Sequence, residues 1–352
     1  MTVPFPIVFC PKSAYPDRRV PHKNMRGREG VERAVNLAVV IFLFLLGLIL
    51  IVKGGDWFLD GAVWIAEASG IPRFIVGATV VSIATTLPEL TVSITGVLEG
   101  EIDLAVGNAV GSVTANIGLI LGISILCMPS VVNRGQFTLK AILMLFGAVL
   151  LTFLCQGGSL PLVPSLLLFA VFALYLWNNI CDAKISMVSD RENRPHRHAA
   201  SHRRMASKLG MFALGVAGII IGSQLLIDYG SELALRLGVP ASIIGVTLVA
   251  VGTSLPELVT TVTAILKKEA SMSIGNIVGA NVIDLTLILP VCSAISGGSL
   301  AIGHQTTALD LPACLVVGMV AMLPPLVMGR FYRWQGFVLL GLYAGYMALL
   351  MA

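Results

Sequence analysis

Two hexapeptides hold the residues best suited to chemistry: Thr85-Thr86-Leu87-Pro88-Glu89-Leu90 and Thr253-Ser254-Leu255-Pro256-Glu257-Leu258, each inside an apolar run. Proline has no N–H, so Pro88 leaves the carbonyl of Ala84 without its helical partner, and Pro256 does the same to Gly252. Hydrocarbon cannot satisfy a freed carbonyl, so such breaks persist only when buried in protein or lining a polar cavity. The hydroxyls of Thr85, Thr86, Thr253 and Ser254 fall at the same level. Glu89 and Glu257 add a carboxylate near mid-span, where a single charge costs roughly 3 kcal/mol or more and so marks a functional candidate. Further along, GNAVGSVTAN and GNIVGANVID present Asn116 and Asp284, each 27 residues after its glutamate. Gly107, Gly111, Gly275 and Gly279 in these segments permit close helix approach. Every donor in the set is a hard oxygen, which suits Ca²⁺ or Na⁺ rather than Zn²⁺ or Cu⁺. Glu89, Glu257 and Asp284 carry a formal charge that either one Ca²⁺ or several monovalent cations offsets, as an exchanger requires.

The elements that position these residues follow from composition. The chain has 352 residues, 56% of them hydrophobic and 12% charged, and a mean hydropathy of +0.90. It is therefore an all-α integral membrane protein whose surface contacts the lipid bilayer. The net charge of +4 comes from basic stretches outside the apolar runs, so nucleic acid is not a partner. The six cysteines form no CxxC pair and sit in or beside apolar segments as small hydrophobes. No HExxH or GxSxG is present and no histidine falls inside a span, so the chain is not an enzyme, and it needs no cofactor beyond transported ions.

Windows of about 20 apolar residues give ten transmembrane helices. Five lie near 34–67, 71–98, 102–128, 138–156 and 162–181, and five near 209–236, 240–266, 270–294, 306–328 and 334–351. The organisation is a polar basic tail (1–32) that is not a cleavable signal peptide, a first five-helix repeat (33–181), a basic loop (182–208) and a second five-helix repeat (209–352). Aligned with itself at an offset of 168, the chain pairs 21 of the 53 positions from Gly70 to Gly122 identically and without a gap. Because five is odd, the second copy enters the membrane from the opposite face, and such inverted topology is typical of secondary transporters with a midplane site.

Arg134 and Lys140, the basic run from Lys184 to Lys208, Lys267 and Lys268, and Arg330 and Arg333 all fall in loops on one side. The positive-inside rule makes that side cytoplasmic and puts both termini outside. The N-terminal tail contradicts this with seven basic residues, four of which a start at Met25 would remove. His196, His198 and His202 in the central loop are read as part of a solvated linker.

At GATVVSIATTLPEL with GNAVGSVTANIG, and at GVTLVAVGTSLPEL with GNIVGANVIDL, the chain resembles the cation/calcium exchanger superfamily, in its sodium/calcium exchanger branch. The resemblance covers both repeats and leaves out the tail and the central loop, which is too short for the regulatory domain of eukaryotic members. It therefore implies a compact prokaryotic transporter of the inner membrane. It also implies that Glu89 and Glu257 chelate Ca²⁺, aided by backbone oxygens of Thr85 and Thr253. Na⁺ would be held by Thr86, Ser254 and the carbonyls of Ser82 and Ala250, with Asn116 and Asp284 completing the central site. Transport would be electrogenic, the first and sixth helices sliding past a fixed core. Three departures stand out: Ala280 replaces the serine that Ser112 retains, Ala84 replaces a glycine, and Thr86 replaces a serine. The first removes a sodium ligand and leaves the coupling ion open. The leading expectation is Na⁺/Ca²⁺ antiport. A Ca²⁺/H⁺ or K⁺-dependent exchanger, a cation channel and a non-transporting scaffold are the alternatives.

Overall fold

The computed structural model describes the backbone of residues 25–193, 202–237 and 252–351. The start of the N-terminal tail, His196, His198 and the segment containing Ala250 lie outside the described residues. Nearly everything described is helical: α1 (Met25–Ser69), α2 (Arg73–Thr85) and α3 (Leu87–Glu99), α4 (Ile102–Cys127) and α5 (Arg134–Gly157), then α6 (Leu162–Asn193) and α7 (His202–Arg236). After these come α8 (Leu255–Leu266), α9 (Ala270–Ile295), α10 (Thr306–Met328) and α11 (Arg333–Met351). Among the described residues, eight helices are long and apolar enough to cross a membrane, α2 and α3 together make a ninth span, and α8 is a shorter apolar helix. The rest of the expected 240–266 span lies outside the described residues. Helix also replaces most of the expected 182–208 loop, because no glycine or proline interrupts the chain from Asp182 until Pro195.

Burial separates the helices into two groups. The most apolar windows of α4 and α9 are 72% and 83% buried, against 22% for those of α1 and α7. The two segments with the chemistry-bearing motifs therefore form the centre. Large side chains such as Phe42, Ile49, Phe153, Trp177 and Phe337 face outward, as a lipid-facing belt does, since there is no aqueous solvent to drive them inside.

The inverted relation of the halves is visible in the loops. On one end Val131 bridges Arg330, joining the α4–α5 and α10–α11 connections. On the other, β1 (Ser159–Pro161) pairs antiparallel with β2 (Ser299–Ala301), joining α5–α6 to α9–α10. The α1–α7 pair is built on glycine. A Cβ at Gly54 would lie 2.8 Å from the backbone nitrogen of Ile219, one at Gly222 2.8 Å from the Gly47 carbonyl, and one at Gly215 2.4 Å from the nitrogen of Phe58. Gly47 and Gly215, and Gly54 and Gly222, are repeat equivalents, so each half supplies the same notch. A second close crossing seats α2 on α9, where a Cβ at Gly275 would meet the Phe74 carbonyl at 2.2 Å and one at Gly77 the Met272 carbonyl at 2.3 Å.

Candidate ion site at the helix breaks

The two breaks have nearly the same backbone geometry. Thr86, between α2 and α3, has φ −83° and ψ −2°, and its equivalent Ser254 has φ −85° and ψ 7°. The axis bends by 41° between α2 and α3. Each break starts a new helix in the middle of the protein, with proline in its first turn and the glutamate one residue later. A helix N-terminus presents unpaired N–H groups and the positive end of its dipole. Glu89 and Glu257 sit there, so the same proline that frees a carbonyl upstream prepares a favourable field for the carboxylate downstream.

Glu89, Glu257 and Asp284 have no exposed surface. Among the described residues, none of their six carboxylate oxygens makes a well-formed hydrogen bond, nor does the amide of Asn116 or the hydroxyl of Ser254, although the Thr85 side chain stands close to Glu257. Glu89 lies within electrostatic reach of both Glu257 and Asp284. Buried anions without donors are costly, and a cation meets that cost directly. Among the described residues, no three His, Cys, Asp or Glu side chains converge closely enough to ligate one metal ion together. A cation held by the two glutamates would thus draw its remaining ligands from neutral oxygens, with Asp284 acting as a further charge nearby.

Asn116 and Asp284 share an unexpected local structure. A π-helical segment starts at each of them, Asn116–Leu121 in α4 and Asp284–Ile288 in α9. The extra residue of a π-bulge rotates side chains off the regular helical face and recurs at functional sites.

The hydroxyls divide into bound and free. Thr85 donates to Asn276 Oδ1 at 3.2 Å, and the Ser112 and Thr253 hydroxyls stand 3.4 Å apart. Each break is thereby tied to the central helix of the opposite repeat. The Ser82 carbonyl accepts from the Thr86 backbone N–H at 2.9 Å and from the Thr86 hydroxyl at 2.7 Å, so it must shed a donor before it can face an ion.

Two residues missing from the expected set join the site. Asn108 donates to the Glu89 carbonyl at 3.0 Å and to Ser93 at 2.9 Å. Its equivalent Asn276 donates to Thr260 at 3.1 Å, while Thr260 in turn donates to the Glu257 carbonyl at 3.0 Å. They hold the starts of α3 and α8 against α4 and α9. Their signal was the repeated Gly-Asn dipeptide, which reads as a packing glycine unless the asparagine beside it is weighed as well.

A broken helix and a second half-helix with the same proline–glutamate start, around a buried, oxygen-lined centre in an inverted-repeat fold, define a membrane transporter of the secondary type. The chain belongs to the sodium/calcium exchanger family: the family's profile, described as sodium/calcium exchanger protein, matches residues 39–181 and 207–352. An uncharacterized membrane protein of Methanocaldococcus jannaschii is 32% identical over 307 residues, covering 85% of this chain and 94% of that one. Sodium/calcium exchanger MaX1 of Methanosarcina acetivorans is 29% identical over 348 residues, covering 89% and 99%. Among solved structures, the sodium-calcium exchanger NCX_Mj soaked with 10 mM Na⁺ and zero Ca²⁺ superposes with a TM-score of 0.77 at 27% identity, covering 89% of this chain and 99% of that one. The ten-helix inverted repeat expected from the sequence fits this fold.

Proposed function

We propose that the chain is an antiporter that exchanges Ca²⁺ for Na⁺ by alternating access to one midplane site. Glu89 and Glu257 chelate the calcium ion with the Thr85 and Thr253 backbone oxygens. Thr86, Ser254, Ser112 and the Ser82 and Ala250 carbonyls take the sodium ions, and Asn116 and Asp284 complete the polar centre. The observation that carries this reading is the pair of buried glutamates, each in the first turn of a half-helix and each with carboxylate oxygens that make no well-formed hydrogen bond among the described residues. Their charge calls for a positive occupant, and two occupants that balance the same charge compete for the same space. That competition is the coupling. No cofactor beyond the transported ions is needed, and the basic loops are cytoplasmic, with both termini outside.

Flux of ⁴⁵Ca²⁺ into proteoliposomes under Na⁺, K⁺ and pH gradients in turn tests the proposal. The expected result is uptake driven by the Na⁺ gradient and lost in Glu89→Gln and in Glu257→Gln. Uptake indifferent to Na⁺ but driven by K⁺ or by pH replaces the coupling ion. Single-channel currents without counter-ion movement overturn exchange itself.

A further inference from the structure

Beside the central site lies a cavity of about 210 Å³ between α4, α10 and α11. Asp310 faces it with 4% exposure, at the end of a π-helical segment, Thr306–Asp310. Its Oδ1 accepts a hydrogen bond from the Tyr346 hydroxyl at 3.0 Å, and among the described residues no Lys, Arg or His nitrogen pairs with it. Two further groups lining the cavity are unpartnered: the hydroxyl of Tyr343 and Oδ1 of Asn108, both on residues 8% exposed. The exposed Asp103 stands at the rim, while Ser112 and Thr253 form the inner wall.

The other half of the molecule shows what such a place looks like when its charge is satisfied from within. The equivalent of Asp103 is Ser271, and α5 has no π-segment to match that of α10. On α6, Tyr175 gives its hydroxyl to the Ala78 carbonyl at 2.6 Å. Asn178, also on α6, accepts at 3.0 Å from Lys140, whose ammonium also binds Asp182 at 2.5 Å and the Gln136 carbonyl at 3.0 Å. One half thus closes oxygens around its own lysine. The other presents a carboxylate, a phenol and an amide oxygen to a cavity with no protein cation described.

We propose that Asp310 anchors a second cation subsite in this cavity, which takes a hard alkali or alkaline-earth cation with part of its water shell and passes it between Ser112 and Thr253 to the glutamates. The inference rests on the transport reading above and extends it to the route of entry. The cavity that Asp310 faces is walled by Ser112 and Thr253, and the Cys314 thiol lies within electrostatic reach of both Asp310 and Asp284. A partly hydrated ion suits one carboxylate and neutral oxygens better than full chelation does. Because the other half lacks these groups, the subsite serves one face of the membrane only.

The test measures half-saturating Ca²⁺ and Na⁺ for flux in proteoliposomes of the full chain. Asp310→Asn is expected to raise at least one of these values about three- to tenfold, as losing one charge-assisted contact does, with Asp310→Glu restoring it and Tyr346→Phe moving it less. Unchanged half-saturation in Asp310→Asn overturns the subsite, and so does flux lost at every cation concentration from protein that still elutes as a single species. If Asp310→Asn is not recovered folded, Tyr346→Phe decides: a raised half-saturation supports the subsite and an unchanged one overturns it. Wild-type flux indifferent to Na⁺ counts against the exchange reading instead, and the Asp310 comparison is still read with whichever ion drives uptake.

Discussion

At the scale of residues, the two halves of the site differ at Ser112 and Ala280 as well as at Asn116 and Asp284. Ser112 pairs with Thr253 across the repeat interface at 3.4 Å. The fully buried Ala280 offers Thr85 no such hydroxyl, and Thr85 turns to Asn276 instead. Ala280→Ser is therefore expected to add a sodium ligand and to lower half-saturating Na⁺ for ⁴⁵Ca²⁺ uptake, steepening its sodium dependence. A curve superimposable on wild type would show that the missing hydroxyl has no part in coupling. The asparagines make a different prediction. Asn108→Ala removes two hydrogen bonds and leaves the buried Ser93 hydroxyl with its bond to the Ala105 carbonyl alone, at about 1–3 kcal/mol. It should lower the thermal midpoint in detergent and weaken calcium uptake together, since it acts through the placement of Glu89 rather than by touching the ion.

At the scale of elements, glycine decides how close the helices come. The α1–α7 crossing leaves no room for a Cβ at Gly215, and the resemblance assigns motion to this pair. Gly215→Val should leave Ca²⁺ binding by the core intact while slowing exchange at least tenfold, read as equilibrium ⁴⁵Ca²⁺ binding against flux. Loss of both in equal measure would mean that the notch serves assembly alone. The crossing of α2 on α9 works in the opposite sense, because Gly77 and Gly275 lock each other's backbone and hold the first break against the buried core. Neither consequence was legible from glycine counts. Thirty-six glycines stand in the chain, and only the packing tells a crossing from a turn.

At the scale of the whole molecule, the two ends are not equivalent. At the basic end Lys267, just after α8, binds Asp60 of α1 at 2.7 Å and Asp56 at 3.3 Å. Arg73 joins Glu67 at 3.0 Å to Glu269 at 2.9 Å. Gly55 of α1 fits closely against Thr263 and Val259 of α8. The equivalent helices at the opposite end, α7 and α3, make no comparable packing among the described residues, and the equivalents of Lys267 and Asp60 are Glu99 and Asp228, two like charges. The fold is thus fastened at the basic end. Exposed pairs of this kind contribute about 0.2–1 kcal/mol each, enough to shift a two-state population several-fold. Lys267→Gln should raise the labelling rate of a cysteine placed in the basic-end half of α8 by about two- to fivefold. An unaltered rate would mean that the ion pairs do not bias access.

The sequence by itself determined that the chain crosses a membrane, that it is one unit used twice in opposite senses, and that Glu89, Glu257 and Asp284 are the acids to weigh as its site. Membrane composition, an odd helix number and a proline-glutamate pair in hydrocarbon each leave few physical alternatives. The position of Asn116 was legible at its offset from Glu89, but the π-bulge that aims it was not, because one additional residue in a helical turn depends on what packs beside it. The roles of Asn108 and Asn276 were equally closed to the sequence, since an amide's partners are chosen across the interface and not along the chain. Asp310 is the clearest case. In sequence it is an acid near the start of an apolar helix. Only the tertiary structure places it against a cavity beside Ser112 and Thr253, because burial and electrostatic partnership depend on distances that helices from both halves set together.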